Sequence, residues 1–279
     1  MIGKVFSSAA KQRDAELGYA AAQAVVEVHR RTVAWLHAGV TLGAIDTFIA
    51  RTIDSLGGKS AFRGYKPFRD KPPFPSCACL SVNECVVHGT ATYFDRPLRA
   101  GDVLKIDVGI KFQGFVGDVG WTYSIGEPTP QVRELMDVSK RSLQLGVAQL
   151  LPGMKLQEYA RAVQTYVEVE NGMHLVRGLG GHGYGRELHE GPFVSNVLPE
   201  PGNPWDDART TCKPGMFLAV EPMVALGTSR TLPDRGTWPI YSADGSMTAH
   251  HEHDVLITDD GQVLLSAGMD ELPDVIMRA

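Results

Sequence analysis

The chain has 279 residues, enough for one large domain or two ordinary ones, and its 43% hydrophobic content is ample for a core. A net charge of −5 lacks the basic footprint of a nucleic-acid binder, so specific nucleic acid is not expected as a partner. The N-terminus has no apolar signal-like run, and no window approaches the roughly 18 apolar residues of a membrane span, so a cytoplasmic protein without membrane contact is expected.

Residues 10–37 are rich in Ala, Val, Glu, Gln and Arg, with no proline and no glycine after Gly18, which predicts a long helix ended by Gly39. Thr41 can cap a second helix whose apolar positions Leu42, Ile45, Ile49, Ile53 and Leu56 keep the helical period, and Gly57-Gly58 stops it. Residues 34–58 can be laid without gaps on residues 148–172, with Ala34 on Ala148, Leu36 on Leu150, Gly39 on Gly153 and Leu42 on Leu156. Two halves of like construction are one explanation; chance similarity between two amphipathic helix pairs is the other. Residues 66–76 form a Pro-rich aromatic loop in which Lys66, Arg69 and Lys71 stand beside Phe68 and Phe74. A lid or a docking patch is expected there. Residues 79–88 become strand-like and end at His88-Gly89, and the spacing of Cys77, Cys79 and Cys85 matches no usual zinc ribbon or finger. These cysteines are read as reduced thiols near a pocket wall.

Residues 104–122 read as a β-hairpin, because two runs rich in β-branched and aromatic residues flank the turn pair Gln113-Gly114. Period 2 puts Leu104, Ile106, Val108 and Ile110 on one face and Lys105, Asp107 and Gly109 on the other. With that turn Asp107 faces Gly120, and Asp118 lies one diagonal step away on the same side. Two carboxylates so close in apolar strands call for a proton or a cation, unless both sit at wet strand ends.

Helices follow over 130–151 and 156–171, then a Gly-rich stretch over 175–196 carries His182 and His189. A strand over 216–224 carries Glu221, another over 248–258 carries Glu252, and a last strand covers 263–266. Asp107, Asp118, His182, Glu221 and Glu252 are therefore candidate ligands, since carboxylates in apolar strands need a common counter-charge. Four carboxylates and one imidazole suit two borderline or hard divalent ions such as Mn, Fe, Co or Zn, a set suited to hydrolysis. Within His250 to His253, alternation puts His251 and His253 opposite Glu252 and His250 a full step along, so Glu252 alone is selected.

The segments CLSVNECVVHG, KIDVGIKFQGFVGD, GGHGYGRELHEGP, GMFLAVEPM and AHHEHDVLIT arrive in the order in which they occur in the methionine aminopeptidases, and the chain resembles the short bacterial type I form from about Ala10 to Ser266. The resemblance implies a pita-bread α/β (α+β) fold, two pseudo-symmetric halves around an antiparallel sheet, as a single catalytic domain over 1–279. It implies two divalent ions, with Asp107 holding one, His182 and Glu221 the other, and Asp118 and Glu252 bridging both. Glu221 would also shuttle a proton, His88 would contact the scissile amide nitrogen, and His189 would hydrogen-bond the substrate carbonyl. Phe62, Tyr65, Phe74, Cys79 and Trp238 would wall an apolar pocket for the methionine side chain. The implied activity is removal of the initiator methionine from nascent chains and peptides; separately, the basic and aromatic residues of the Pro-rich loop suggest a transient ribosome contact, and a monomer is expected.

Departures from the family pattern touch the pocket wall: Phe62 where Cys is common, Leu188 where an aromatic is common, Tyr184 for an aliphatic, and a longer loop before Ser76. Two other functions stay open at this point. A related Xaa-Pro peptidase usually carries a substantial domain ahead of the catalytic one, whereas here the first helix starts almost at Met1. A non-catalytic relative that binds peptides has typically lost ligands, whereas all five are present.

Overall fold

The computed structural model describes residues 2–67, 69, 71–233 and 237–278. Phe68 of the loop expected to act as a lid or docking patch lies outside the described residues. Among the described residues four α-helices are formed, α1 (Ala9–Trp35), α2 (Leu42–Leu56), α3 (Pro130–Val147) and α4 (Leu156–Gln164). In the first half of the chain the strands are β1 (Lys59–Ser60), β2 (Cys79–Val82), β3 (Cys85–Val87), β4 (Val103–Phe112) and β5 (Phe115–Ile125). The second half adds β6 (His174–Leu175), β7 (Gly180–Gly183), β8 (Glu190–Ser195), β9 (Phe217–Val220), β10 (Met223–Ala225) and β11 (Thr231–Pro233). It ends with β12 (Ile240–Ser242), β13 (Thr248–His250), β14 (His253–Ile257), β15 (Gln262–Leu264) and β16 (Val275–Ile276).

The β4–β5 hairpin is the frame of one five-stranded sheet, with β16 on β5 and both β1 and β2 on the other edge of β4. Its turn residues Gln113 and Gly114 both take positive φ, 51° and 82°, the conformation that matches strand twist in a two-residue hairpin. Leu104, Ile106, Val108 and Ile110 are fully buried, and α1 lies across the same face. A second five-stranded sheet runs β15-β14-β9-β7-β8, and two three-stranded sheets, β13-β10-β6 and β11-β12-β3, complete the β structure among the described residues. Pairing is antiparallel except for β16 on β5.

Helix termini follow local chemistry. The Thr41 and Thr129 side chains accept from Ala44 N and Val132 N, satisfying donors that the first turn leaves free, and Gly57 ends α2 in the left-handed region. The two halves of the internal repeat correspond as far as the helix starts: Gly39 and Gly153 both have φ +88°, and Leu42 and Leu156 open α2 and α4. They part company later, where α4 passes into a π turn over Thr165–Glu170. Two strands expected to be continuous are broken. The strand expected over 216–224 stops at Glu221-Pro222, since proline has no N–H for a ladder, and the one over 248–258 stops at His251-Glu252.

Candidate active site

The carboxylates of the hairpin face glycines across the ladder. Asp107 pairs with Gly120 and Asp118 with Gly109, so neither aspartate meets a side chain across the hairpin, although Asp107 faces Cys79 on its other neighbour, β2. The vacated volume is used: a Cβ on Gly120 would lie 3.1 Å from Glu252 Oε2, and one on Gly109 would lie 2.4 Å from the Phe62 ring. Both glycines are therefore required by close approach from other elements.

The other ligands arrive at breaks in regular structure. Glu221 leaves the ladder between β9 and β10, and its carbonyl accepts from Asn196 Nδ2 at 3.0 Å, with Asn196 Oδ1 held in turn by the Tyr159 hydroxyl at 2.9 Å. Glu252 sits between β13 and β14, with its N–H donated to Gly120 O at 2.7 Å. His182 lies within β7 where its pairing with β8 shifts register, and its Nδ1 lies 3.0 Å from Gly183 O. A carbonyl only accepts, so Nδ1 carries the proton and Nε2 presents a lone pair 3.7 Å from Asp118 Oδ2.

Ligand atoms of Asp118, His182 and Glu252 lie within 4.8 Å of one another, and so do those of Glu221, His250 and Glu252. Glu252 belongs to both groups, whereas Asp107 falls in neither among the described residues. His250, which a continuous strand would place a full step from Glu252, brings its Nε2 to 3.1 Å from Glu221 Oε2. It shares the face of Glu252 by alternation, and that signal was available.

Asp118 and Glu252 are 3% and 2% exposed, and Asp107 is half-buried. Loss of hydration raises Asp107 to about 7, and raises Asp118, Glu221 and Glu252 well above the carboxylate range. For Asp118 and Glu252 the neighbouring carboxylates push further in the same direction. The imidazoles shift oppositely: loss of hydration brings His182 down to about 3 and both His88 and His250 to about 4. Neutral imidazoles beside crowded carboxylates form a set of lone pairs without a counter-charge. Asp107 Oδ1 and Asp118 Oδ1 are buried with no hydrogen-bond partner among the described residues. Oxygen and imidazole donors of this kind fit hard or borderline divalent cations.

Above this floor lies a cavity of about 200 Å³, lined by all five candidate ligands and by His88, His189, Phe62, Tyr65, Phe74, Cys79 and Trp238. Pro67, Val87 and Leu188 complete the wall. Phe74 stands edge-on to Trp238, with centroids 5.2 Å apart, and to Phe62, at 6.2 Å. Trp238 donates its Nε1 proton to Pro72 O at 3.0 Å, and Lys71 Nζ lies 5.3 Å from its ring, so the Pro-rich loop is laid against the pocket. His88, held at φ 59°, meets the Trp238 ring edge-on, and His189 at the mouth lies 4.2 Å from His182 and 5.1 Å from Tyr65, ring to ring. Cys77 and Cys85, expected near the pocket wall, are buried away from the cavity; Cys79 alone of the three lines it.

The model of metallopeptidase family M24 matches residues 17–259. The chain is 34% identical over 255 residues to a methionine aminopeptidase of Aquifex aeolicus, covering 91% of this chain and 96% of that one. It is 36% identical over 248 residues to methionine aminopeptidase 1 of Bacillus subtilis, covering 88% and 93%. The crystal structure of methionine aminopeptidase from Rickettsia prowazekii superposes with a TM-score of 0.83 at 28% identity, over 95% of this chain and all of that one.

Proposed function

The chain belongs to metallopeptidase family M24 and, within it, to the methionine aminopeptidases, and from that membership we propose that it releases the N-terminal methionine of peptides and nascent chains by attack of water on the first peptide bond. The observation that carries the reading is the meeting of four carboxylates with neutral imidazoles on the floor of an apolar cavity of side-chain size. Two divalent ions, held by Asp107, by Asp118 and Glu252 jointly, and by His182 with Glu221, would supply Lewis-acid polarisation of the carbonyl and a lowered water pKa.

The side chains supply the rest. Phe62, Tyr65, Phe74, Cys79 and Trp238 take the methionine side chain out of water and fix the first residue relative to the carboxylates. Glu221 receives the proton of the attacking water and returns it to the leaving amine, a transfer that its place beside both cavity floor and wall permits. His88, neutral at pH 7, hydrogen-bonds the scissile amide nitrogen. His189 at the mouth donates to the carbonyl oxygen as charge develops on it. The enzyme is read as one catalytic domain working as a monomer in the cytoplasm, with the Pro-rich loop as the part that meets the ribosome.

Hydrolysis of peptides beginning Met-Ala, Met-Pro, Ala-Pro and Leu-Ala, by EDTA-treated protein with and without Mn, Co or Fe, tests the reading. Metal-dependent release of methionine alone is expected. Release from Ala-Pro would reassign the specificity to Xaa-Pro bonds, and no release with any metal would end the catalytic reading.

A further inference from the structure

β5 runs beside the break between β13 and β14, and three alternate residues of β5 make the join. Thr122 Oγ1 donates to His250 O at 2.6 Å and accepts from His250 N at 2.9 Å. Gly120 O accepts from Glu252 N at 2.7 Å. Asp118 N donates to Asp254 Oδ2 at 2.9 Å. The middle bond is an ordinary backbone bond, but at both ends a side chain stands where a regular antiparallel ladder would use backbone. The seam ties the first five-stranded sheet to the second, and the carboxylates of Asp118 and Glu252 come from its two sides.

Asp254 has no place in the mechanism above, and it is fully buried in β14 opposite Ala219. A carboxylate in that position costs free energy that an apolar residue of similar size would avoid. An apolar residue, however, would leave the Asp118 N–H without this acceptor.

We propose that Asp254 and Thr122 are positioning residues that clamp this seam, fix the separation of the Asp118 and Glu252 carboxylates, and so set the affinity of the site for divalent cations. The inference rests on the reading of Asp118 and Glu252 as shared ligands. Donor sets for small divalent ions tolerate displacements of only about 0.5 Å, and groups that orient ligands typically change metal affinity by about 10- to 100-fold when removed.

The test is calorimetric titration of MnCl2 into EDTA-stripped wild type, Asp254→Ala, Asp254→Asn and Thr122→Val, with thermal unfolding of each metal-free protein as the control for folding. Asp254→Ala and Thr122→Val are expected to bind Mn about 10- to 100-fold more weakly. Asp254→Asn, whose amide oxygen still accepts from Asp118 N, is expected to stay close to wild type. Wild-type affinity in both Asp254→Ala and Thr122→Val overturns the proposal, and so does an Asp254→Asn as weak as Asp254→Ala, because charge rather than the hydrogen bond would then be at work. If Asp254→Ala does not fold, Thr122→Val, nearly the same shape as the native residue, decides the matter alone. A wild type that binds no Mn overturns instead the metal reading on which this one stands.

Discussion

Glu221 is the residue on which the proposed chemistry turns, and its surroundings allow a clean substitution. The backbone around it is fixed by Asn196 and Tyr159 rather than by its own carboxylate, so Glu221→Gln should fold normally. Loss of a general acid–base group costs about 10²- to 10⁴-fold, and a drop of that size in kcat on a Met-Ala peptide, at an unchanged unfolding midpoint, is expected. Undiminished turnover would remove Glu221 from its role. A second prediction concerns His29, buried in α1 with Nδ1 at 2.9 Å from the Tyr123 hydroxyl and Nε2 at 3.0 Å from Val119 O. Loss of hydration lowers it from 6.5 to about 4. Between those values the unfolded chain binds the proton and the folded one refuses it, so stability is complete above pH 6.5 and falls as the pH drops toward 4. This residue's share is on the order of 3 kcal/mol, and His29→Gln should shrink the difference in unfolding free energy between pH 7 and pH 4.5 by part of that amount. An unchanged difference would show that other groups carry the acid sensitivity. At this scale alternation and family resemblance together brought out the residues that line the cavity, yet they passed over His250, Asp254 and Lys105. His250 was discounted on the assumption of a continuous strand, in which two residues span about 6.6 Å. Lys105 was placed correctly on the Asp107 face, but its burial follows from acceptors distant in sequence, Asn83 O at 2.6 Å and Thr248 Oγ1 at 2.9 Å.

Among the elements, α1 and β5 approach backbone to backbone. A Cβ on Gly117 would come within 2.6 Å of Ala21 C and Ala22 N, which are helix backbone and cannot swing aside. Gly117→Ala therefore has to displace α1 from the hairpin, and overpacking of this kind costs about 1–3 kcal/mol. The urea midpoint should fall at an unchanged slope, and a midpoint equal to wild type would mean that the helix moves freely. Elements of this sort were legible because their signals are local: Thr41 and Gly57 bracket α2, and Gln113-Gly114 sets the register that puts Asp107 opposite Gly120. The strand breaks at Pro222 and at His251-Glu252 were not drawn, although proline in an apolar run argues for one of them. The other has no local signal, since it depends on Gly120 and Thr122 of β5 taking hydrogen bonds from residues far along the chain.

For the molecule as a whole, the candidate ligands are contributed by both five-stranded sheets and by the residues that join them: Asp107 and Asp118 by the first, His182 by the second, Glu221 and Glu252 by the breaks. Their carboxylates repel one another across the seam, and each is raised because burial leaves its charge uncompensated. A divalent cation bound there compensates charge from both sides at once, so its binding is linked to the folding of the whole unit rather than of one sheet. A ligand that binds only the folded state stabilises it by RT ln(1 + [L]/Kd), about 2.7 kcal/mol at one hundred times Kd for each site. The unfolding midpoint of EDTA-treated protein should accordingly rise with added Mn, in one cooperative transition, and the rise should shrink in Asp118→Asn. Were the cation to stabilise only part of the chain, unfolding would split into two transitions with only one of them moving, and the link between the sheets would have to be given up. A midpoint indifferent to Mn at concentrations that support turnover would separate catalysis from this carboxylate cluster altogether.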